Sequence, residues 1–256
     1  MTAALIGLDW GTTSFRAALI DGQGRVVARR AGPHGILSVS AGAFEAVLDS
    51  QIHDWERDNP EAPILASGMI TSRQGWVETP YLHCPAGAAE LARTLRRLAT
   101  PSGRTVHFVT GLDIRRPDGV PDVMRGEETQ IAGALLDEPD LRLLVLPGTH
   151  SKWVRVEDGR IVWFQTFMTG ELFAALKAHT ILGRLMEGSE DDPGAFRRGL
   201  EAGRAPGTAG ALLGRLFSVR TLGLFGDLPG TALASYLSGL LLGAEIAESL
   251  ASSGAE

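Results

Sequence analysis

LIGLDWGTTSFRAALIDGQGRVV, residues 5–27, reads as an apolar strand, a Gly-Thr-Thr-Ser turn, a second apolar strand and a Gly-Arg turn into a third. The same order returns at residues 143–162, LLVLPGTHSKWVRVEDGRIV, where Gly148-Thr149-His150-Ser151 replaces the first turn and Gly159-Arg160 replaces Gly24-Arg25. An internal duplication is the economical reading. A tight Gly-Thr turn between strands points backbone N–H groups and hydroxyls into a concave nest that suits anionic oxygens. Two such turns facing each other would clamp phosphate.

Composition narrows the partners. With 256 residues, 44% hydrophobic and 21% charged, the chain can bury the core of one large domain or two smaller ones. A net charge of −6 leaves no excess of Lys and Arg to neutralise a phosphate backbone, which argues against nucleic acid or an anionic membrane as partner. Arg93, Arg96 and Arg97 read as a solvated helix face. Cys84 is the only cysteine, so no internal disulfide or multi-Cys metal site can form, and with no basic run beside it the thiol reads as buried and inert. The start MTAALIGLDW has no basic n-region and its apolar stretch is broken by Asp9, so neither a signal peptide nor a membrane span is read there and a cytoplasmic location is expected. The six histidines lack metal-ligand spacing.

Between the two copies, Phe44, Val47, Leu48, Ile52 and Trp55 recur at helical spacing and the helix ends near Asp58-Asn59-Pro60. Residues 63–67 predict a short buried strand, 88–99 a helix, 105–110 a strand, 115–121 a turn-rich loop and 126–136 another helix. Beyond Phe167 the pattern is mostly helical, over 171–185, 193–202, 210–217 and 232–250. The order is that of a mixed sheet with helices on its faces. The candidate boundary lies near 112 to 140, drawn as an N-terminal domain 1–112 and a C-terminal domain 113–256.

The duplicated β-β-β unit with Asp-x-Gly-Thr in its first copy resembles the ATP-binding superfamily that includes actin, hexokinase and the heat-shock chaperone ATPases. SGMITSRQGWVETPY (67–81), PDVMRGEETQ (121–130), LPGTHSKW (146–153) and FMTGELF (167–173) are together similar to the 2-dehydro-3-deoxygalactonokinase family, bacterial sugar-acid kinases of that superfamily. The resemblance runs over nearly the whole chain. It implies an α/β protein of ribonuclease H-like, actin-like ATPase fold, with two related domains around a nucleotide cleft. It further implies transfer of a phosphoryl group from ATP, with Mg²⁺, to the 6-hydroxyl of 2-dehydro-3-deoxy-D-galactonate in galactonate catabolism. Family members typically continue past Gly239–Gly243 and Glu245 into a further Gly-containing loop and helix over the adenosine. With this sequence ending at Glu256, weak and poorly base-selective ATP binding is expected.

Residue roles follow from matching chemistry to these positions. Asp9, at the end of an apolar strand, is placed to orient Mg²⁺ through its waters, since Mg²⁺ takes few protein carboxylates. Gly11, Thr12 and Thr13 supply the first phosphate nest, and Gly148, Thr149 and Ser151 the second, with Lys152 following. Arg16 takes the place where hexokinase-like proteins carry a basic residue toward the phosphates, and a guanidinium suits phosphate by forked hydrogen bonding. Phosphoryl transfer to a hydroxyl needs a proton acceptor, and Glu127 or Glu128, opening the helix after Gly126, matches the acidic position of the superfamily. Glu127 is preferred because Gly126 permits close approach; acids at a helix N-terminus are also favoured by the dipole alone. In the polar loop after residue 67, Arg73 suits the acceptor carboxylate, Ser72 and Gln74 its hydroxyls and Trp76 an apolar face. Thr169 and Glu171 open a later helix and could face the same cleft or simply cap it.

Two rival readings stay open on sequence. A polyphosphate or guanosine pentaphosphate phosphatase would share the scaffold and the Gly-Glu-Glu segment but would not need the loop 73–76. A non-catalytic nucleotide-binding remnant is the other. The partner read here is a small sugar acid, and the assembly state is open, a homodimer among the options.

Overall fold

The computed structural model describes residues 3–40, 42–188, 190–205 and 211–253. It divides into two compact units, 1–142 with 156–163, and 143–155 with 164–256.

In the first unit, β1 (Ala3–Trp10), β2 (Phe15–Asp21) and β3 (Val26–Gly32) form an antiparallel meander, followed by α1 (Phe44–Asp58) and β4 (Ile64–Ser67). β5 (Leu82–His83), β6 (Ala86–Gly87), α2 (Ala88–Arg93), β7 (Arg96–Ala99), β8 (Thr105–Phe108), β9 (Leu112–Arg115), β10 (Pro121–Met124) and α3 (Glu127–Asp137) complete it. The main sheet runs β3-β2-β1-β4-β8-β7, with β4 parallel to both β1 and β8.

Strand periodicity decides which face each residue takes. Ile6, Leu8 and Trp10 of β1, Phe15 and Ala17 of β2, and Ile64 and Ala66 of β4 point to one face. There they meet Phe44, Leu48, Ile52 and Trp55 from α1, the stripe that helical spacing predicts. The alternate residues, Leu5, Gly7 and Asp9, Arg16, Ala18 and Ile20, and Leu65 and Ser67, therefore share the opposite face. That inversion is what exposes Asp9 and Arg16 together.

Two expectations are corrected. The helix read over 88–99 stops at Arg93, and the Thr94 hydroxyl that follows bonds back to the Glu90 and Leu91 carbonyls. Arg96–Ala99 then pairs antiparallel with β8 as an edge strand. The loop read over 115–121 is the turn of a hairpin, β9 pairing with β10 from Leu112–Met124 to Arg115–Pro121.

The second copy of the meander is β11 (Leu143–Leu146), β12 (Ser151–Glu157) and β13 (Arg160–Phe167). The tip of its hairpin turns through Asp158 (φ 50°) and Gly159 (φ 72°) and belongs to the first unit, where Arg160 and Ile161 pair with Gly87 and Ala86 of β6. In the second unit β11 pairs antiparallel with β12. α4 (Thr169–His179), α5 (Pro193–Arg204), α6 (Leu212–Leu216), α7 (Ser218–Leu224) and α8 (Leu233–Ser253) follow. The predicted helix start at Gly210 lies outside the described residues.

α8 is long and apolar enough to cross a membrane, yet Leu233, Leu237, Leu240 and Leu241 are buried in the second unit's core. It crosses α5 with the backbones in contact. A Cβ on Gly199 would lie 2.1 Å from the Tyr236 carbonyl oxygen, and one on Gly239 2.0 Å from that of Phe196. Gly203 and Gly243 repeat the arrangement one turn on, at 2.3 Å from the Leu240 oxygen and 2.4 Å from the Leu200 oxygen.

Candidate active site

In the first unit the exposed face of the sheet lines a cavity of about 570 Å³. Leu5, Gly7, Ala18, Ile20 and Leu65 give it an apolar floor, and Asp9, Arg16, Ser67, Gly126, Thr129 and Gln130 gather at one end. Pairing register sets the polar group: Asp9 stands opposite Arg16 on β2 and opposite Ser67 on β4. The Asp9 Oδ2 accepts from Arg16 Nη1 at 2.9 Å, with side chains 41% and 64% exposed. Such an exposed pair adds little stability. It does fix the direction of both groups.

The first turn is tied off on its outer side. The Gly11 N–H donates to the Ser14 carbonyl, while the Gly11 and Thr12 carbonyls accept from Ile36 and Leu37. The segment around Gly35 packs so tightly on the turn that a Cβ there would overlap Thr13. Thr12 and Thr13 keep exposed side chains.

Three chain segments converge on Asp9. β4 ends at Gly68 (φ 93°), where a Cβ would lie 3.3 Å from Asp9 Oδ1 and 3.0 Å from the Trp10 oxygen. α3 begins after Gly126 (φ 111°), where a Cβ would lie 3.2 Å from the Gly68 Cα. Both positions need a positive φ and a missing side chain, which only glycine provides without strain.

Helical geometry sorts the α3 residues. Gly126, Thr129 and Gln130 fall on the cavity side, whereas Glu128 and Ile131 are buried on the other. The Glu128 Oε2 accepts the Gly126 N–H at 2.7 Å, and its side chain lines a 90 Å³ cavity with Leu91, Ile131, Leu135 and Ile161. Burial pushes its carboxyl up to about 7. Glu127 lies between the two faces, partly exposed, and its Oε2 accepts the Arg125 N–H at 2.9 Å. Thr129, Gln130 and Ser67 had no place in the sequence reading; i+3 and i+4 spacing from Gly126 and the β1–β4 register are the signals that find them.

The loop after Gly68 starts with a 3-10 turn at Met69–Thr71. Arg73 and Gln74 are exposed, and the Ser72 hydroxyl donates to the Met69 carbonyl. The Trp76 ring lies in the first core, stacked on Phe44 and edge-on to Phe108. Cys84 is buried, and that burial pushes its thiol up to about 12.

In the second unit, Gly148 and Thr149 are exposed, and the start of α4 packs directly on their turn. The Glu171 N–H donates to the Thr149 carbonyl, and a Cβ on Gly170 would lie 2.5 Å from the Gly148 oxygen. His150 Nε2 is 2.6 Å from Glu171 Oε2. Ser151 and Lys152 are both buried: the serine hydroxyl donates to Glu245 Oε1 at 2.7 Å and the lysine Nζ to the Thr166 hydroxyl at 2.8 Å. Trp153 Nε1 donates to the same Glu245 oxygen at 2.7 Å. A 160 Å³ groove runs past Gly148, Thr169, Phe173 and Ser238 to Glu245.

No cluster of three His, Cys, Asp or Glu side chains able to cage a metal is present among the described residues. Mg²⁺ keeps most of its waters and takes only one or two carboxylates beside substrate phosphates. Asp9 is the carboxylate that fits.

A model of the family described as 2-keto-3-deoxy-galactonokinase matches residues 9–256. The chain is 37% identical to the 2-dehydro-3-deoxygalactonokinase of Escherichia coli (strain K12), over 96% of its own length and 80% of that protein. It is 41% identical to a probable 2-dehydro-3-deoxygalactonokinase of Rhizobium meliloti (strain 1021), with the same coverage. Among solved structures it is similar to a candidate 2-dehydro-3-deoxygalactonokinase from Sinorhizobium meliloti, with a TM-score of 0.86 and 39% identity, covering 98% of this chain and 83% of that one.

Proposed function

The chain belongs to the 2-keto-3-deoxy-galactonokinase family of sugar-acid kinases, with an actin-like ATPase fold, and from that premise we propose that it transfers the γ-phosphoryl of ATP to the 6-hydroxyl of 2-dehydro-3-deoxy-D-galactonate. The observation that carries the reading is the convergence at Asp9. The end of the first phosphate-turn strand, the start of the polar loop and the start of the acidic helix meet there in van der Waals contact through Gly68 and Gly126.

Phosphoryl transfer leaves the protein mainly positioning and electrostatic work. In this reading Arg16 and the Thr12 and Thr13 hydroxyls bear on phosphate oxygens, and Asp9 is the carboxylate that would hold Mg²⁺ through its waters. The ion, when bound, neutralises charge developing on the phosphate oxygens. Glu127 accepts the acceptor's hydroxyl proton. Glu128 is buried on the far face and shapes the Gly126 peptide instead. Arg73 and Gln74, exposed on the loop, address the acceptor's carboxylate and hydroxyls, with Trp76 anchoring the loop from the core. In the second unit, Gly148 and Thr149 receive phosphate, and the groove past Thr169, Phe173 and Ser238 suits a nucleoside.

Coupled ADP production against a panel of 2-keto-3-deoxy sugar acids tests the assignment. Turnover that depends on the acceptor is expected, and Glu127→Gln should lower kcat by about two to four orders of magnitude. Phosphate release from ATP at the same rate without any sugar acid would refute it in favour of a phosphoanhydride hydrolase.

A further inference from the structure

Arg125 has no role in any of the chemistry above, yet its side chain makes the densest set of hydrogen bonds in the first unit's site. Nη1 donates to the Thr71 carbonyl and the Thr71 hydroxyl at 2.6 Å each, and to the Thr79 hydroxyl at 2.9 Å; Nη2 donates to the Thr79 carbonyl at 3.2 Å. The guanidinium also lies over the Tyr81 ring, 4.3 Å from its centroid. Thr71 and Thr79 are the two ends of the polar loop, joined to each other by the Thr79 N–H donating to the Thr71 carbonyl. Both are buried, at 0% and 3% exposure, and Nε of Arg125 is buried without a hydrogen bond, so the Nη groups carry the whole connection.

The backbone of the same residue does something else. Its N–H donates to Glu127 Oε2 at 2.9 Å. One residue thus grips both ends of the loop 71–79 with its side chain and the carboxylate of Glu127 with its main chain.

The geometry points to Arg125 as the positioning residue that sets the acceptor loop in register with the base: the guanidinium closes the loop at Thr71 and Thr79 while the adjoining peptide orients Glu127. The inference rests on the proposed roles of that loop and of Glu127. Arg is the residue this task demands. A planar fork can serve two carbonyls and two hydroxyls at once and still stack on an aromatic face, whereas a lysine ammonium reaches fewer partners and cannot stack in the same way. Because the grip is on backbone carbonyls at the loop ends, its loss would loosen the exposed residues between them, Arg73 and Gln74, without removing any group that meets phosphate.

Arg125→Lys is the test, read in two ways. Hydrogen–deuterium exchange of the peptide covering 69–79 is expected to accelerate by about tenfold or more, with the β1–β4 amides unchanged. Steady-state kinetics should show the KM for the sugar acid rising roughly ten- to a hundredfold, the KM for ATP staying within about twofold and kcat falling less than in Glu127→Gln. Thr79→Val, which removes one hydroxyl partner, gives the same pattern more weakly and stands in should Arg125→Lys not fold. For Arg125→Ala, added methylguanidinium should restore acceptor KM in part, which a merely destabilised fold would not allow. Unchanged exchange in 69–79, or equal loss for both substrates, overturns the assignment. Arg73→Ala run alongside separates the premises. If it too leaves acceptor KM alone, the loop does not bind the acceptor, and the exchange measurement alone then decides whether Arg125 closes it.

Discussion

The two copies of the β-β-β unit share a backbone plan and differ in what surrounds it. Aligned on Gly11 and Gly148, Asp9 corresponds to Leu146 and Arg16 to Trp153. The first copy therefore carries a charged pair beneath its turn, while the second carries an apolar residue and an indole that donates to buried Glu245. Their supports differ too. A 3-10 segment at Ile36–Ser38 backs the first turn, and the N-terminus of an 11-residue helix backs the second. A helix N-terminus favours anions through its dipole without any charged side chain. The two turns thus share a backbone plan but not a charge: an exposed ion pair stands beneath the first, and an indole bonded to a buried carboxylate beneath the second. The central strands differ as well: β1 has β2 and β4 on its two sides, whereas β11 has β12 on one side and no strand on the other among the described residues.

The sharpest way to break this comparison is Asp9→Asn. With the charged copy disarmed, kcat should fall by about two to four orders of magnitude, and residual activity should lose most of its dependence on Mg²⁺. Thermal stability should move by less than about 1 kcal/mol, because the Asp9–Arg16 pair is exposed. Thr149→Val in the other copy should instead raise the KM for ATP several-fold with kcat nearly kept. Equal losses of kcat from both would mean that the nests are equivalent after all.

Next in size is Glu245→Ala. It strands the Ser151 hydroxyl and the Trp153 N–H in a buried site and leaves a void, at a cost of roughly 2–5 kcal/mol in urea unfolding. A cost below about 1 kcal/mol would show that α8 does not brace the second turn.

Glu128, buried in the first unit, behaves differently, because burial favours its neutral form. Glu128 has a folded value of about 7 against an ordinary 4.5, so between those limits the folded protein keeps a proton that the unfolded chain has released. Stability should therefore fall as pH rises through that window, by about 3 kcal/mol at most, and be level below it. Glu128→Gln mimics the neutral acid and should flatten the profile from pH 5 to 8. An unaltered slope would assign the titration to another group.

The smallest effect is expected at the open edge. Leu143 and Val145 of β11 are 38% and 40% exposed, and an unpaired apolar edge invites strand pairing. Val145→Lys should change stability by less than about 0.5 kcal/mol while suppressing concentration-dependent self-association in sedimentation velocity. If association persists, it proceeds through another surface.

What the sequence disclosed follows the range of the forces involved. The repeated turns, the α1 stripe and α3 are written in local periodicity and in Gly-Thr spacing, and they form where expected. β7 and the β9–β10 hairpin were illegible because short strands are made by partners: Arg96–Ala99 has a helix-compatible composition and becomes a strand only beside β8. The same holds in the site. Asp9, Arg16 and Glu127 stand out by residue type. The inward turn of Trp76 onto Phe44, the burial of Lys152 and the grip of Arg125 on Thr71 and Thr79 depend on contacts across tens of residues, which no single-chain pattern encodes.

Where α5 crosses α8, the spacing is set by four hydrogen atoms. Gly199, Gly203, Gly239 and Gly243 each meet the facing backbone at a distance where a methyl carbon would fall between 2.0 and 2.4 Å from a carbonyl oxygen. Most packed positions can drift through evolution by exchanging one methylene at a time, with neighbours relaxing to absorb the change. These four have no such intermediate steps, since alanine, the smallest alternative, already requires the helices to part. Glu245 sits two residues beyond Gly243 on α8, and through it Ser151 and Trp153 are held. The freedom of the Gly148–Ser151 turn to vary across lineages is thus curtailed by glycines that lie outside it, and sequence change in this half of the molecule should be channelled into the exposed faces of α4 to α7.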